Sequence, residues 1–183
     1  MKDYDIIVIG AGSGGLANAL MFNELNLKVL IVDIHVSNFG GECVHSGCIP
    51  SKALLEAAKN FNSAKKLKLF SDQKSTVQPN WNKIQSHIKK IQQELYEEES
   101  PTSLEEHGID VKIGKATFSS NNSISINGIN YSAKKIIIAT GSSPRTVDIP
   151  GLNDSLITVL TNENMFEVDT LPESIVILGG GPI

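Results

Sequence analysis

The chain has 183 residues, with 16 Lys and Arg against 20 Asp and Glu, giving a formal charge of −4. That balance excludes the basic stripe a nucleic-acid surface needs to neutralise phosphates. Hydrophobic residues at 40% and charged residues at 20% fit one good-sized globular domain, or a domain with part of another, and exclude a mostly disordered chain. Apolar runs such as Ile6 to Ile9 fall far short of the roughly 20 residues of a membrane helix. Asp3 and Asp5 stand where a secretory signal wants positive charge. Two cysteines make no secreted disulfide scaffold, so the expected location is the cytoplasm.

In chain order, Ile6 to Ile9 reads as a short buried strand ending at Gly10, and Leu16 to Asn26 has helical spacing. Lys28 to Asp33 is a second strand. Pro50 to Phe61 is a helix of strong formers, and the polar stretch from Ser71 to Asn80 is a loop. Trp81, Ile84, Ile88, Ile91 and Leu95 recur at steps of three and four, which predicts an amphipathic helix over Trp81 to Tyr96. The acidic run Glu97 to Glu99 should end it and Pro101 close it. Val111 to Phe118 reads as a strand. Asn127-Gly128 between alternating runs, Ser123 to Tyr131, is a hairpin signal because both turn residues need positive φ. Lys134 to Ala139 is a further strand running into Thr140-Gly141.

Glycines at 10, 12 and 15 have the G-x-G-x-x-G spacing. The spacing gains meaning from its setting: a strand before it, a helix after it, and a second strand ending in Asp33, 23 residues beyond Gly10. Gly10, Gly12, Ser13, Gly14 and Gly15 would bring backbone N–H groups and a helix N-terminus to a pyrophosphate. Asp33 would accept hydrogen bonds from the adenosine ribose. At the other end, Leu171 to Ile183 runs from a turn through Ile175-Val176-Ile177-Leu178 into three glycines. It reads as the first strand of a second nucleotide-binding unit, which makes the 183 residues a fragment.

Cys43 and Cys48 lie five residues apart, just after the nucleotide unit. In a regular helix that separation puts Cα atoms roughly 8–9 Å apart, whereas a disulfide needs about 4.4–6.8 Å. Pairing would therefore require a distorted backbone, which Gly47 permits. The pattern admits a redox-active dithiol, a metal site that includes His45, or two inert thiols. His35, His87 and His107 read as surface or packing residues, and Lys65, Lys66 and Lys68 as a solvated face.

The segment from Gly41 through Cys43, Gly47, Cys48, Ile49, Pro50 and Ser51 to Lys52 resembles the signature of the flavin-dependent pyridine nucleotide–disulfide oxidoreductases. Cys48-Ile49-Pro50-Ser51-Lys52 is most similar to the dihydrolipoamide dehydrogenase and mercuric reductase branches. The resemblance extends to Gly10–Gly15, Asp33, the run Ile138-Ala139-Thr140-Gly141-Ser142, and Leu171 to Gly181.

The resemblance implies an α/β fold: a Rossmann-like FAD-binding domain with a parallel sheet and a β-hairpin or meander over residues 1–150. A linker over 151–170 and the start of an NAD(P)-binding domain over 171–183 would follow. It implies FAD on the first glycine loop, with NAD(P)H used by the whole protein. Cys48 would lie beside the flavin and Cys43 face the substrate, the two forming a redox disulfide. Lys52 would approach the flavin ring, and Gly41, Glu42 and Cys43 would line the cofactor. Lys115 and Ala116 resemble the segment at the adenine, while Ala139, Thr140 and Gly141 resemble the turn over the flavin nucleotide. The substrate would be a small molecule, a protein disulfide or a metal ion, and the whole protein a homodimer with its His–Glu pair beyond Ile183. No resident metal is expected, and little turnover from these residues alone. Glu42 stands where better-known members carry Thr, and His45-Ser46 where they carry Asn-Val. A stand-alone FAD and thiol module, or a zinc-binding structural domain, are the other readings.

Overall fold

Strand β1 (Lys2–Ile9) is the middle of a six-stranded sheet whose order is β3-β2-β1-β6-β5-β4. The computed structural model describes residues 2–67, 70, 77–145, 147–152, 154 and 156–181. They form two units: Met1–His45 with Gln93–Ser142, and Ser46–Gln92 with Ser143–Ile183.

In the first unit, β1 pairs in parallel with β2 (Val29–Asp33) and with β6 (Ile129–Ile138). β2 pairs in parallel with β3 (Asp110–Ile113), while β4 (Ala116–Ser120), β5 (Ser123–Ile126) and β6 form an antiparallel meander. Side chains alternate along a strand, and the two resulting faces have different partners. Ile6, Val8, Val29 and Ile31 pack with Leu16 and Ala19 of α1 (Ser13–Glu24), and with Phe39, Leu104 and Ile109. Ile7, Leu30 and Val32 pack with Ile124, Ile126, Tyr131 and Ala133 of the meander. The central strands are thus covered on both sides, as their continuous apolar runs require. Each fully buried Ile or Leu contributes roughly 1.5–3 kcal/mol.

The hairpin turn forms as its residues demand, with Asn127 at φ 50° and Gly128 at φ 80°. The run Val111 to Phe118, expected to be one strand, is two. Gly114 at φ +150° breaks it, leaving β3 on the parallel edge and β4 in the meander. Two short helices were not expected, α2 (Gly41–His45) and α5 (Pro101–Glu106). Pro101 does not merely stop the preceding helix. It opens α5, with the Ser100 hydroxyl accepting the Ser103 N–H at 3.2 Å as the cap.

The second unit contains α3 (Cys48–Leu67) and most of α4 (Trp81–Glu99). α3 begins two residues before Pro50, whose missing N–H costs nothing in a first turn. α4 continues through Glu97–Glu99 rather than ending at Tyr96. Trp81 Nε1 donates to the Val168 carbonyl at 2.7 Å, and Gln85 donates to Val168 at 2.8 Å and Phe166 at 3.2 Å. Those bonds tie the irregular 161–168 segment to the helix, with Ile88 and Phe166 buried. Of the expected loop over 71–80, residues 77–80 are irregular and 71–76 lie outside the described residues.

The strand expected over Ile175 to Leu178 does not form, and these side chains are 61–84% exposed. An extended segment needs a neighbour for its hydrogen bonds, and no strand forms among the described residues of that unit. Pro182 and Ile183 lie outside the described residues.

Candidate functional site

The chain turns sharply where β1 gives way to α1. Gly10 N–H donates to the Val32 carbonyl at 2.8 Å, and Gly10 takes φ +104°. A Cβ there would overlap the Ala139 carbonyl oxygen. α1 begins at Ser13 on Gly12, which has no side chain to cap it. The first-turn N–H groups of Ser13, Gly14 and Gly15 therefore have no intrahelical acceptor and stand at the positive end of the helix dipole. A Cβ on Gly14 would meet nothing within 4 Å, so the turn is open on that side.

A second loop closes against the first. Gly12 makes a parallel bridge with Gly40, and Gly40 N–H donates to the Ala11 carbonyl at 3.0 Å. Gly41 has φ +61°, and a Cβ on it would come within 2.5 Å of Gly12 Cα. Only glycine allows this approach.

Asp33 ends β2 beside the turn. Its Oδ2 accepts the Ala11 N–H at 2.8 Å, and its Oδ1 accepts the Asn38 amide at 2.7 Å and the His35 N–H at 3.4 Å. The Asp33 carbonyl accepts the Gly114 N–H at 2.8 Å, which brings Lys115 and Ala116 to the end of β2. Ala139 N–H donates to the Ile9 carbonyl at 2.7 Å, so Ala139, Thr140 and Gly141 leave β6 beside the end of β1. The carboxyl ends of β1, β2 and β6 therefore share one rim, where open α/β sheets bind nucleotides. This arrangement fits the dinucleotide part of FAD. The open Gly10–Gly15 turn would hold the diphosphate, Asp33 the ribose, and the Lys115-Ala116 and Ala139–Gly141 segments would flank them.

Cys43 is half-buried on α2, between exposed Glu42 and buried Val44. The same unit buttresses this helix. His45 Nε2 donates to the Phe39 carbonyl at 2.7 Å, and its ring lies 6.0 Å from that of Tyr96. Tyr96 donates its hydroxyl to the Val36 carbonyl at 3.3 Å. Among the described residues Glu99 Oε2 is buried without a hydrogen-bond partner, and a Cβ on Gly40 would come within 3.0 Å of it. Burial, and then the charge of Glu98, push the Glu99 carboxyl above the usual range, with His45 opposing.

In the second unit, Cys48 is the first residue of α3 and is exposed. Lys52 follows one turn later on the same helix face, also exposed.

The first unit thus brings together the residues expected to hold the nucleotide, whereas Cys48 and Lys52 belong to the second. Sequence reasoning passed over Ala11, Asn38, Gly40 and Glu99. Gly40 was visible as half of a glycine pair, but no pattern marks Asn38 as the partner of Asp33 five residues before it, or Glu99 as a neighbour of the Gly40 loop. Among the described residues no three His, Cys, Asp or Glu side chains gather to hold a metal ion. No helix among them is long and apolar enough to cross a membrane.

A family described as pyridine nucleotide-disulphide oxidoreductase matches residues 4–183. The chain is 37% identical to dihydrolipoyl dehydrogenase of Acholeplasma laidlawii over 185 residues, covering 100% of this chain and 54% of that protein. It is 32% identical to mercuric reductase of Staphylococcus aureus over 181 residues, covering 99% of this chain and 32% of that protein. Glutathione reductase of Nostoc sp. is 32% identical over 187 residues, covering 99% of this chain and 38% of that protein. A solved copper(II) complex of a flavoprotein disulfide reductase from Escherichia coli superposes with a TM-score of 0.66 at 22% identity. That superposition covers 84% of this chain and 32% of the other, and the two share the fold. The chain spans about half or less of the length of these relatives. With a family match running from Tyr4 to the last residue, on a sheet whose strand ends carry the glycine turn and Asp33, the chain belongs to the pyridine nucleotide-disulphide oxidoreductases.

Proposed function

We propose that this chain carries the FAD and the redox cysteines of an NAD(P)H-dependent flavoprotein reductase acting on a disulfide or a metal ion. The observation that carries the reading is the uncapped glycine turn at the start of α1, closed by Gly41 on one side and Ala139 on the other, with Asp33 beside it. FAD bound there would supply two-electron transfer between NAD(P)H and the protein sulfurs.

The chain's residues would then act as follows. The first-turn N–H groups of α1 neutralise the diphosphate, and Asp33 fixes the ribose. Two electrons break the S–S bond between Cys43 and Cys48 and leave two sulfur anions. Cys43 attacks one sulfur of the substrate disulfide, forming a mixed disulfide and expelling the first thiol. Cys48 then attacks Cys43, expels the second thiol and restores the pair. The sum is one NAD(P)H, one proton and one disulfide converted to NAD(P)⁺ and two thiols. A metal-ion substrate would take the same two electrons at Cys43. On this reading two copies pair in the cytoplasm, and Lys52 lies by the flavin ring.

The test is to titrate FAD into the purified chain under dithiothreitol. Bound FAD should quench and develop a long-wavelength absorption from a sulfur anion against the oxidised ring. Cys48→Ser should remove that band, and Cys43→Ser should keep it. A chain that leaves FAD fluorescence unchanged, or a Cys48→Ser variant that retains the band, would refute the reading.

A further inference from the structure

We infer that Asn38 is a specificity residue of the adenosine ribose subsite, accepting one ribose hydroxyl while Asp33 accepts the other. The inference rests on the FAD reading and extends it to a residue outside the glycine motif.

The argument is a count of acceptor sites. An ionised carboxylate has about four lone-pair sites and no donor. Three of those on Asp33 are engaged, by Ala11 N–H at 2.8 Å, the Asn38 amide at 2.7 Å and His35 N–H at 3.4 Å. One remains, and a ribose diol brings two hydroxyl donors. The Asn38 bond also fixes the amide's orientation. A carboxylate can only accept, so the NH₂ end of Asn38 must face Asp33, leaving its carbonyl oxygen as an acceptor beside the same carboxylate. The residue is held in place by its neighbours. Asn38 N–H donates to the His35 carbonyl at 3.1 Å, and the next residue, Phe39, is fully buried in the core. Asn38 itself is exposed, as a residue meeting a ligand must be.

The experiment measures FAD binding by fluorescence quenching, with ADP, 2′-deoxy-ADP and 3′-deoxy-ADP as competitors. The wild-type chain should prefer ADP over both deoxy compounds. Asn38→Ala should weaken ADP about tenfold, the range of a hydrogen bond to a well-placed acceptor, and should bind one deoxy compound as well as ADP. Asn38→Asp keeps the size and an acceptor but sets a second carboxylate against Asp33, so it should weaken FAD more than alanine does. Ser37→Ala, whose hydroxyl meets the His35 ring at 3.1 Å, should leave all three competitors unchanged. Wild-type binding of FAD combined with an unchanged ADP-to-deoxy-ADP ratio in Asn38→Ala would overturn the Asn38 assignment alone. A wild-type chain that binds no FAD would overturn the flavin reading and this inference with it.

Discussion

Replacing Gly15 with alanine should damage the fold and the cofactor turn together, while the same change at Gly14 should do neither. A Cβ on Gly15 would overlap the Gly10 carbonyl oxygen, with the Gly10 carbonyl carbon at 2.9 Å and Val8 Cγ1 at 3.3 Å. Heavy atoms in ordinary contact sit about 3.5–4.0 Å apart, and the overlap with the oxygen governs, so the first turn of α1 must retreat by roughly 1 Å or more. The obstacles are the backbone at the end of β1 and a buried valine, which cannot rotate away. Overpacking of this kind costs about 1–3 kcal/mol, of which roughly 0.5–1 kcal/mol is recovered by removing a flexible glycine from a helix. The net loss is about 1.5 kcal/mol, which for a chain of this length lowers Tm by roughly 3–6 °C. The Gly14 variant meets nothing within 4 Å and should melt slightly higher than wild type. Thermal unfolding followed by circular dichroism, with FAD titration of both variants, measures the contrast. A Gly15→Ala chain that melts within about 1 °C of wild type and binds FAD equally would refute the steric account.

Three further outcomes follow from the side chains around this site and its sheet. Asp33→Asn should weaken FAD by about tenfold or more, since a charge-assisted acceptor becomes a neutral amide with a donor edge; quenching titrations read this. The raised Glu99 carboxyl means that on unfolding the chain releases this proton at lower pH than the fold does. Stability should therefore fall as pH rises through the ordinary glutamate range and level off above the folded value. Urea titrations at pH 4 and pH 7 should find Glu99→Gln gaining on wild type at the higher pH. Burial, then the 2.7 Å hydrogen bond to Asp110 and that carboxylate's charge, push the Tyr4 phenol well above the usual tyrosine range. Tyr4→Phe should cost about 1 kcal/mol near neutrality. Wild type should lose stability above roughly pH 10, where the unfolded phenol ionises first, and the variant should lose less.

The stretch up to Asp33 was legible because local chemistry and global fold agree there. An apolar run, spaced glycines, a helical stripe and a second apolar run ending in an acid can form little else. The Asn127-Gly128 hairpin was legible for the same reason: its turn is set by two adjacent residues. The division of Val111 to Phe118 was not, because both halves look like strands and only the pairing partners separate them. Gly114 was the one signal. Helix α2 escaped notice because five residues are too few to display a period. Ile175 to Leu178 had the composition of a strand, but composition carries no information about whether a neighbouring strand is present. Within the site, the glycines and Asp33 followed from spacing, while Asn38 is set by loop hydrogen bonds to Asp33 and His35 that no motif marks, and Glu99 owes its place to tertiary packing.

Strand β6 belongs to both halves of the sheet: residues 131–138 run parallel to β1, and residues 129–132 run antiparallel to β5. One backbone thus serves two cores, and neither layer can open without stripping hydrogen bonds from the other. Inserting or deleting a single residue in this strand would invert the side chains facing α1 and those facing the meander at one stroke. The nucleotide rim and the meander are consequently bound into one cooperative unit, with no seam along which the cofactor end could loosen by itself.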